Sequence, residues 1–543
     1  MKHDSPNDRG SEAPTGSETE ISAPAPGSDD RHGLAELARR RRHALAMGGE
    51  AKIQRQHDLG RWTARERIER LLDAGSFQET GLLAHSDRPP VRSRTPADGK
   101  ICGFGEIEAR PVYVSADDVT VMAGAGGRVG SGKDHKQTLY AVEKGMPLVH
   151  LGDAGGARVP DIMGATGMMS MVYPISGPPR DRRVPFVATI MGECYGAPTW
   201  KAALADLVVQ VKGTAMAVSG PPVLAAATGE QATADELGGW QLHAQTTGQV
   251  DLFAEDEQEC LELVRRVLSY LPSNAEQLPP VVATEDAPNR RLDAALDIVP
   301  EDPRKAYDMH RLLELIVDAG SLLELKPYFD GSLITALGRL DGHSVGFLAN
   351  NPRSSVGAMG PGACEKATAF ICLCDAFHIP LVFLHDTPGF FVSKLAEQGK
   401  MPLRIMTFLD ALHHSTVPRV SVIVRKSYGM AHCNMVGANM GADALLSWPI
   451  GEVSFMSPAV AVNVVHGRKL HEAADPEAAR RQLISDMQHQ NAPWEAAGLG
   501  LIDDVIDPRD TRLELIRALR RARGASGEGG RSRRLLASWP TMF

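Results

Sequence analysis

The chain has 543 residues, 43% apolar and 23% charged, the make-up of a soluble globular protein too long for one core, so at least two domains are expected. A formal net charge of −9 argues against a nucleic-acid partner, since duplex binding rests on clustered positive charge, and the lack of any apolar run of roughly 18 residues argues against a membrane-spanning helix. Seven scattered cysteines without a C-x-x-C pair suggest neither a disulfide framework nor a metal site, and read as small buried thiols in a reducing cytoplasm.

Residues 1–32 are rich in Ser, Pro, Gly, Asp and Glu and lack an apolar leader, so a disordered tail without a signal peptide is expected there. A first domain is expected over 33–290. Within it "VYVSADDVTVMAGAGG" reads as a broken, polar strand, followed by "GGRVGSGKDHK" at 126–136. Gly127, Gly132 and Lys133 have the G-x-x-x-x-G-K spacing of a phosphate loop, but Asp134 stands where a Ser or Thr would ligate magnesium and would repel a triphosphate. A Gly-rich surface turn is the reading favoured over an ATP-binding module. Next come "MPLVHLG", the small-residue turn Gly155-Gly156 in "GDAGGARV", the strand "PFVATIMG", and Tyr195-Gly196-Ala197 before the Ala-rich amphipathic run "PTWKAALADLV". A linker rich in Pro, Asn and Asp over 275–300 leads to a second domain, 291–523, and a C-terminal tail, 524–543.

The second domain repeats the first. "LLDAGSFQETG" returns as "IVDAGSLLELK", "PLVHLGDAGGARV" as "PLVFLHDTPGFFV", and "VPFVATIMGECYGAP" as "VPRVSVIVRKSYGMA". Asp153 to Asp386 and Tyr195 to Tyr428 are both 233 positions apart; further on the offset becomes 237. Each half alternates short apolar strands with helical runs, which is an α/β order. Cys372 and Cys374, two apart in a helical stretch, are expected on different faces. Asp386 is expected to cap the turn that follows it.

The turns carry the chemistry. Gly196-Ala197 and Gly429-Met430-Ala431 each lie between a buried strand and the first turn of a helix, where N–H groups lack internal partners and the helix dipole adds positive charge. Each therefore offers a backbone oxyanion hole, and Gly155-Gly156 should line the same cleft as the first. No G-x-S-x-G, H-E-x-x-H or Ser/His/Asp constellation accompanies them. Two holes without a side-chain nucleophile point to two enolate-like species meeting in one site.

From about 33 to 523, through "GRWTARERIERLLDAGSFQE", "GDAGGARV", "ATGEQATADELGG", "CDAFHIPLVFLHDTPGF", "VPRVSVIVRKSYGMAH" and "GLGLIDDVIDPRDTR", the chain resembles the carboxyltransferase (β) subunits of biotin-dependent acyl-CoA carboxylases of the propionyl-CoA and methylcrotonyl-CoA type. The resemblance implies two tandem crotonase-like β-β-α spiral domains, the first binding a coenzyme A thioester and the second binding biotin carried on a partner protein. It implies a site shared between subunits of a homo-oligomer, in the family usually a hexamer. Gly196 and Ala197 match the pair that holds the thioester enolate; Met430 and Ala431 match the pair that holds the biotin ureido oxygen. Carboxybiotin would release CO₂, and biotin would serve as its own base. The 124–136 loop matches a segment near the CoA end, which makes Arg128 and Lys133 candidate CoA contacts. The chain departs from the family pattern at Tyr195 and Tyr428, bulkier steps beside the holes, at Cys433, near a position that helps select acyl length, and in "GGRVGSGKD". With no biotin-attachment A-M-K-M motif and no ATP-grasp pattern, it implies a separate biotin carboxylase and biotin carboxyl carrier. A decarboxylase or transcarboxylase subunit acting on a malonyl-type thioester, and a biotin-independent crotonase-like hydratase or isomerase, stay open as alternatives.

Overall fold

A computed structural model describes residues 31–170, 180–471, 474–524 and 533–539; most of the tail expected to be disordered lies outside them. The strands fall into two sets. The first comprises β1 Gln78–Glu79, β2 Lys100–Ile107, β3 Arg110–Asp117, β4 Leu148–Ala154, β5 Phe186–Tyr195, β6 Leu207–Val211, β7 Ala215–Ala217 and β8 Leu252–Ala254. The second comprises β9 Leu323–Leu325, β10 Leu333–Leu340, β11 His343–Asn350, β12 Leu381–Thr387, β13 Arg419–Tyr428, β14 Ala444–Ser447, β15 Glu452–Ser454 and β16 Asp504–Val505. Their orders are β1-β2-β3-β4-β5-β6-β8 with β7 on β5, and β9-β10-β11-β12-β13-β14-β16 with β15 on β13. The duplication read from sequence is thus a duplication of topology.

Register follows the repeat. Lys100 pairs with Asp117 as Leu333 pairs with Asn350, and Leu148 with Phe186 as Leu381 with Arg419. Both central pairs slip at the same place, between Gly152 and Ala154 and between His385 and Thr387. β4 and β12 are buried throughout, because parallel strands covered on both faces can be continuously apolar. One core runs from Val114, Val149 and Val209 of the first sheet to Leu325, Leu337 and Phe383 of the second. Among the described residues no helix is long and apolar enough to cross a membrane.

Of these sequence expectations, one changes, that for Asp386. The polar-looking stretch before the Gly-rich segment begins as a strand, β3, buried from Val112 to Asp117, because Ser115 and Asp117 find polar partners inside the fold; it breaks after Asp117 and passes through the 3-10 turn Met122–Gly124 before the helix Arg128–Glu143. Cys372 and Cys374 are both fully buried, as small thiols on a helix, Pro361–Ala376, that is covered on more than one face. Asp386 caps no turn: its carboxylate pairs with Arg425 Nε at 2.9 Å and Lys426 Nζ at 3.1 Å. At the C-terminal end, Arg182 Nη1 donates to the carbonyls of Leu536, Ala537 and Trp539 and draws Leu536 into the core.

Candidate active site

β5 ends at Tyr195, Gly196 turns the chain at φ 68° and ψ −118°, and the helix Ala197–Leu204 begins. β13 ends at Tyr428, Gly429 turns at φ 61° and ψ −150°, and the helix Met430–Asn434 begins. A side chain at either glycine would be strained at that φ. The two glycine N–H groups are already used: Gly196 donates to Ala217 O at 3.3 Å and Gly429 to Ser454 O at 2.9 Å. This revises the first expected pair. Ala197 keeps its donor, Gly196 does not, and Pro198 has none. In the second half Met430 and Ala431 both open their helix with N–H groups that have no carbonyl behind them.

Gly156 lines the same cavity as Ala197, whereas Gly155 is not among the residues that line it. Gly155 donates to Ala123 O at 3.0 Å, and Gly156 O accepts from Gly126 at 2.9 Å. Gly156 packs against Tyr195 and Gly196 so closely that a Cβ on it would meet Tyr195 O at 3.2 Å. Tyr195 and Tyr428 are buried, and Tyr428 Oη donates to Glu452 Oε2 at 2.6 Å; both rings sit behind the turns. Cys433 is half-buried on the helix that Met430 opens.

The segment "GGRVGSGKDHK" is the start of a helix, Arg128–Glu143, and not a surface turn. Its glycines permit close approach. A Cβ at Gly127 would collide with the Arg158 guanidinium, and Gly130 N donates to Asp98 Oδ2 at 2.7 Å. Asp98 thus occupies the helix N-terminus that a phosphate would need, and Arg158 balances it at 2.6 Å. Arg128 pairs with Asp87. Lys133 Nζ donates to Gly81 O at 3.1 Å. Its repeat, Lys366, clasps the equivalent loop through Lys326 O at 3.3 Å and Phe329 O at 2.8 Å. The G-K spacing therefore belongs to a structural clasp that both halves retain.

A cavity of about 200 Å³ opens beside Gly156 and Ala197 and runs between the helices Arg128–Glu143 and Ala197–Leu204. Polar groups cross it. Lys201 and Tyr113 converge on Asp134, the tyrosine Oη 2.7 Å from Oδ1. Lys100 pairs with Asp117, and His150 Nδ1 lies 3.0 Å from Ser115 Oγ. Apart from Asp134, which stands where a phosphate loop carries Ser or Thr, nothing local in the sequence marks this belt, because its members come from five separate segments.

Burial, and secondly the charge of Lys201, lower the pKa of His150 from 6.5 to about 4. Between those values the unfolded chain takes up a proton that the folded chain refuses. This contribution to stability is complete above pH 6.5 and is lost as pH falls toward 4. His150→Phe, which installs the residue found at the equivalent Phe383, should make the acid limb of a Tm-against-pH curve shallower. An unchanged limb would show that His150 does not contribute to it.

The chain matches the carboxyl transferase domain family over residues 55–528. It is 39% identical over 492 residues to the propionyl-CoA carboxylase carboxyltransferase subunit of Haloferax mediterranei, covering 90% of this chain and 95% of that one. It is 37% identical over 497 residues to the methylmalonyl-CoA carboxyltransferase 12S subunit of Propionibacterium freudenreichii subsp. shermanii, covering 90% and 93%. Against the methylmalonyl-CoA decarboxylase subunit alpha of Propionigenium modestum it is 34% identical over 492 residues, covering 89% and 95%. The hexameric transcarboxylase 12S structure with methylmalonyl-CoA and methylmalonic acid bound superposes with a TM-score of 0.85 at 34% identity, over 93% of this chain and 97% of that one. A duplicated parallel-rich sheet with a small-residue turn at the same place in each half, matched nearly end to end by these proteins, establishes that the chain belongs to the carboxyl transferase domain family.

Proposed function

We propose that this chain is the carboxyltransferase subunit of an acyl-CoA carboxylase, moving a carboxyl group between biotin on a partner protein and the α- or vinylogous carbon of an acyl-CoA. The observation that carries the reading is the pair of equivalent turns, at which the N–H of Ala197 in one half and those of Met430 and Ala431 in the other open a helix at the end of a central strand. In the N-terminal half, 33–290, Ala197 N–H holds the thioester oxygen as negative charge develops on it. In the C-terminal half, 291–523, Met430 and Ala431 offer two adjacent donors, which suit a single ureido oxygen. Biotin, when bound, supplies the carboxyl group and a base. The chain itself offers no base from the two strand-end carboxylates, since Asp153 is paired with Arg67 and Asp386 with Arg425. Arg128 lines the cavity, and a CoA phosphate reaching it would displace Asp87 from its guanidinium.

Apolar rims around the turns support a shared site. Val159 and Val218 flank the first at 57% and 69% exposure; their repeats, Val392 and Phe455, flank the second at 91% and 80%. One copy's first rim against another copy's second rim covers both, and a hexamer repeats that contact in a closed assembly. The purified chain, mixed with a separately prepared carboxylated biotin carrier, should carboxylate propionyl-CoA and run as a hexamer by light scattering. No transfer, or full transfer by a monomer, would overturn the reading.

A further inference from the structure

Behind the second turn runs a chain of polar side chains that the first turn lacks. Ser427 Oγ, near the end of β13, lies 2.8 Å from Nδ1 of His385 on β12 and 2.8 Å from Nδ1 of His432, on the helix that Met430 opens. His385 and Ser427 are fully buried and His432 is half-buried. At the far side of the His432 ring, Nε2 lies 3.0 Å from the backbone N of Ala438. That N–H can only donate, so Nε2 carries no proton and accepts. The neutral ring then keeps its proton on Nδ1 and donates it to Ser427 Oγ, which leaves the serine hydroxyl to donate to His385 Nδ1. One backbone N–H thus sets every direction in the chain.

The chain anchors the loop beneath the helix. In the first half the helix runs on from Ala197 to Leu204, whereas in the second it stops at Asn434. The backbone then reverses through Val436 at φ 61°, a conformation that a β-branched residue holds only when its surroundings impose it. His432 supplies much of that constraint. Its Nε2 accepts from Ala438, its carbonyl accepts from Gly437 N at 2.8 Å, and its ring covers Gly437 so closely that a Cβ there would strike it. Ser421 Oγ adds a bond to Val436 O at 2.8 Å. At the positions of His385, Ser427 and His432 the first half carries Gly152, Cys194 and Thr199, and Thr199 Oγ1 bonds the carbonyls of Cys194 and Ala217 instead. A strand-to-helix turn in this fold does not require the chain; the half with the shortened helix has it.

Resting on the biotin-side reading of Met430 and Ala431 above, we infer that His432 is a positioning residue for carboxyl transfer: held by Ser427 on one side and bonded to Ala438 on the other, it fixes how the helix Met430–Asn434 presents its opening N–H groups. Two amides separate the two bonds. His432→Gln places an oxygen at the reach of Nε2 and keeps an acceptor for Ala438. His432→Asn reaches only as far as Nδ1, toward Ser427, and leaves the Ala438 N–H without its partner. In the full-length oligomer, decarboxylation of a carboxylated biotin carrier without acyl-CoA should fall roughly tenfold or more for His432→Asn, the scale of a misplaced reacting group. His432→Gln should recover most of that loss. Propionyl-CoA binding, read by calorimetry and belonging to the other half, should stay within about twofold for both. Wild-type rates for both variants, equal impairment of the two, or propionyl-CoA affinity lost in step with the rate overturns the inference while the biotin-side reading stands. A wild-type chain that does not decarboxylate the carrier overturns both. Should neither variant assemble, Ser427→Cys decides: it copies the first half, leaves His432 in place, and should lower the same half-reaction about fivefold, the worth of one hydrogen bond. An unchanged rate for it overturns the inference.

Discussion

Ala431→Pro should lower carboxyl transfer by roughly 10²-fold or more, the usual effect of removing one oxyanion-hole donor. Proline deletes the N–H without adding a charge. The fold has already tolerated it: the equivalent position of the first half is Pro198, in the first turn of the helix Ala197–Leu204. Ala197→Pro deletes the donor assigned to the thioester and should cost a similar factor. The two variants should part company in a half-reaction. Decarboxylation of a carboxylated biotin carrier without acyl-CoA should suffer for Ala431→Pro and be largely spared for Ala197→Pro. Circular dichroism and oligomer size come first, since proline disfavours the α region for the residue before it: Gly196, with positive φ, is already outside it, and Met430 would have to open its helix as Ala197 does before Pro198. Near-normal transfer by both folded variants would remove the two-hole mechanism.

Arg67→Met should destabilise the first half by about 3–5 kcal/mol, the range for removing one partner of a buried ion pair. Arg67 is 1% exposed. Its Nη1 is 2.9 Å from Asp153 Oδ2, and its Nε is 3.0 Å from Glu257 Oε2. Without it two carboxylates stay buried and unpaired, one of them at the strand slip that leads into Gly155 and Gly156. Burial already raises the Asp153 pKa against the pull of Arg67, so the variant should protonate Asp153 and loosen the turn. The check is a urea midpoint together with transfer activity. A wild-type midpoint would show that the network contributes little.

That network has only one of its two kinds of member visible in the repeat. Asp153 and Asp386 are visible repeats, but their cations are not. In the second half Arg425 comes from the neighbouring strand at the position where the first half has Gly192. There a Cβ would collide with Asp153, and the glycine leaves room for Arg67 from the distant helix Ala64–Leu71. One buried carboxylate is neutralised by two routes, and only the folded chain shows which.

The sequence alone determined the duplication, the α/β class, the two strand-to-helix turns and the family they imply. These are local patterns of period, glycine placement and fixed offset, and short-range sterics enforce them. Tertiary structure decided which N–H groups are free, because Ala217 O and Ser454 O reach Gly196 and Gly429 across the sheet. It decided that the G-K segment is a helix whose end is filled by Asp98, and that Lys133 is a clasp repeated at Lys366. It also assembled the belt of Lys100, Asp117, Asp134, His150 and Lys201 around one cavity. Such contacts join residues tens to hundreds of positions apart, and no local periodicity encodes which side chains meet when three strands and two helices close around the same space.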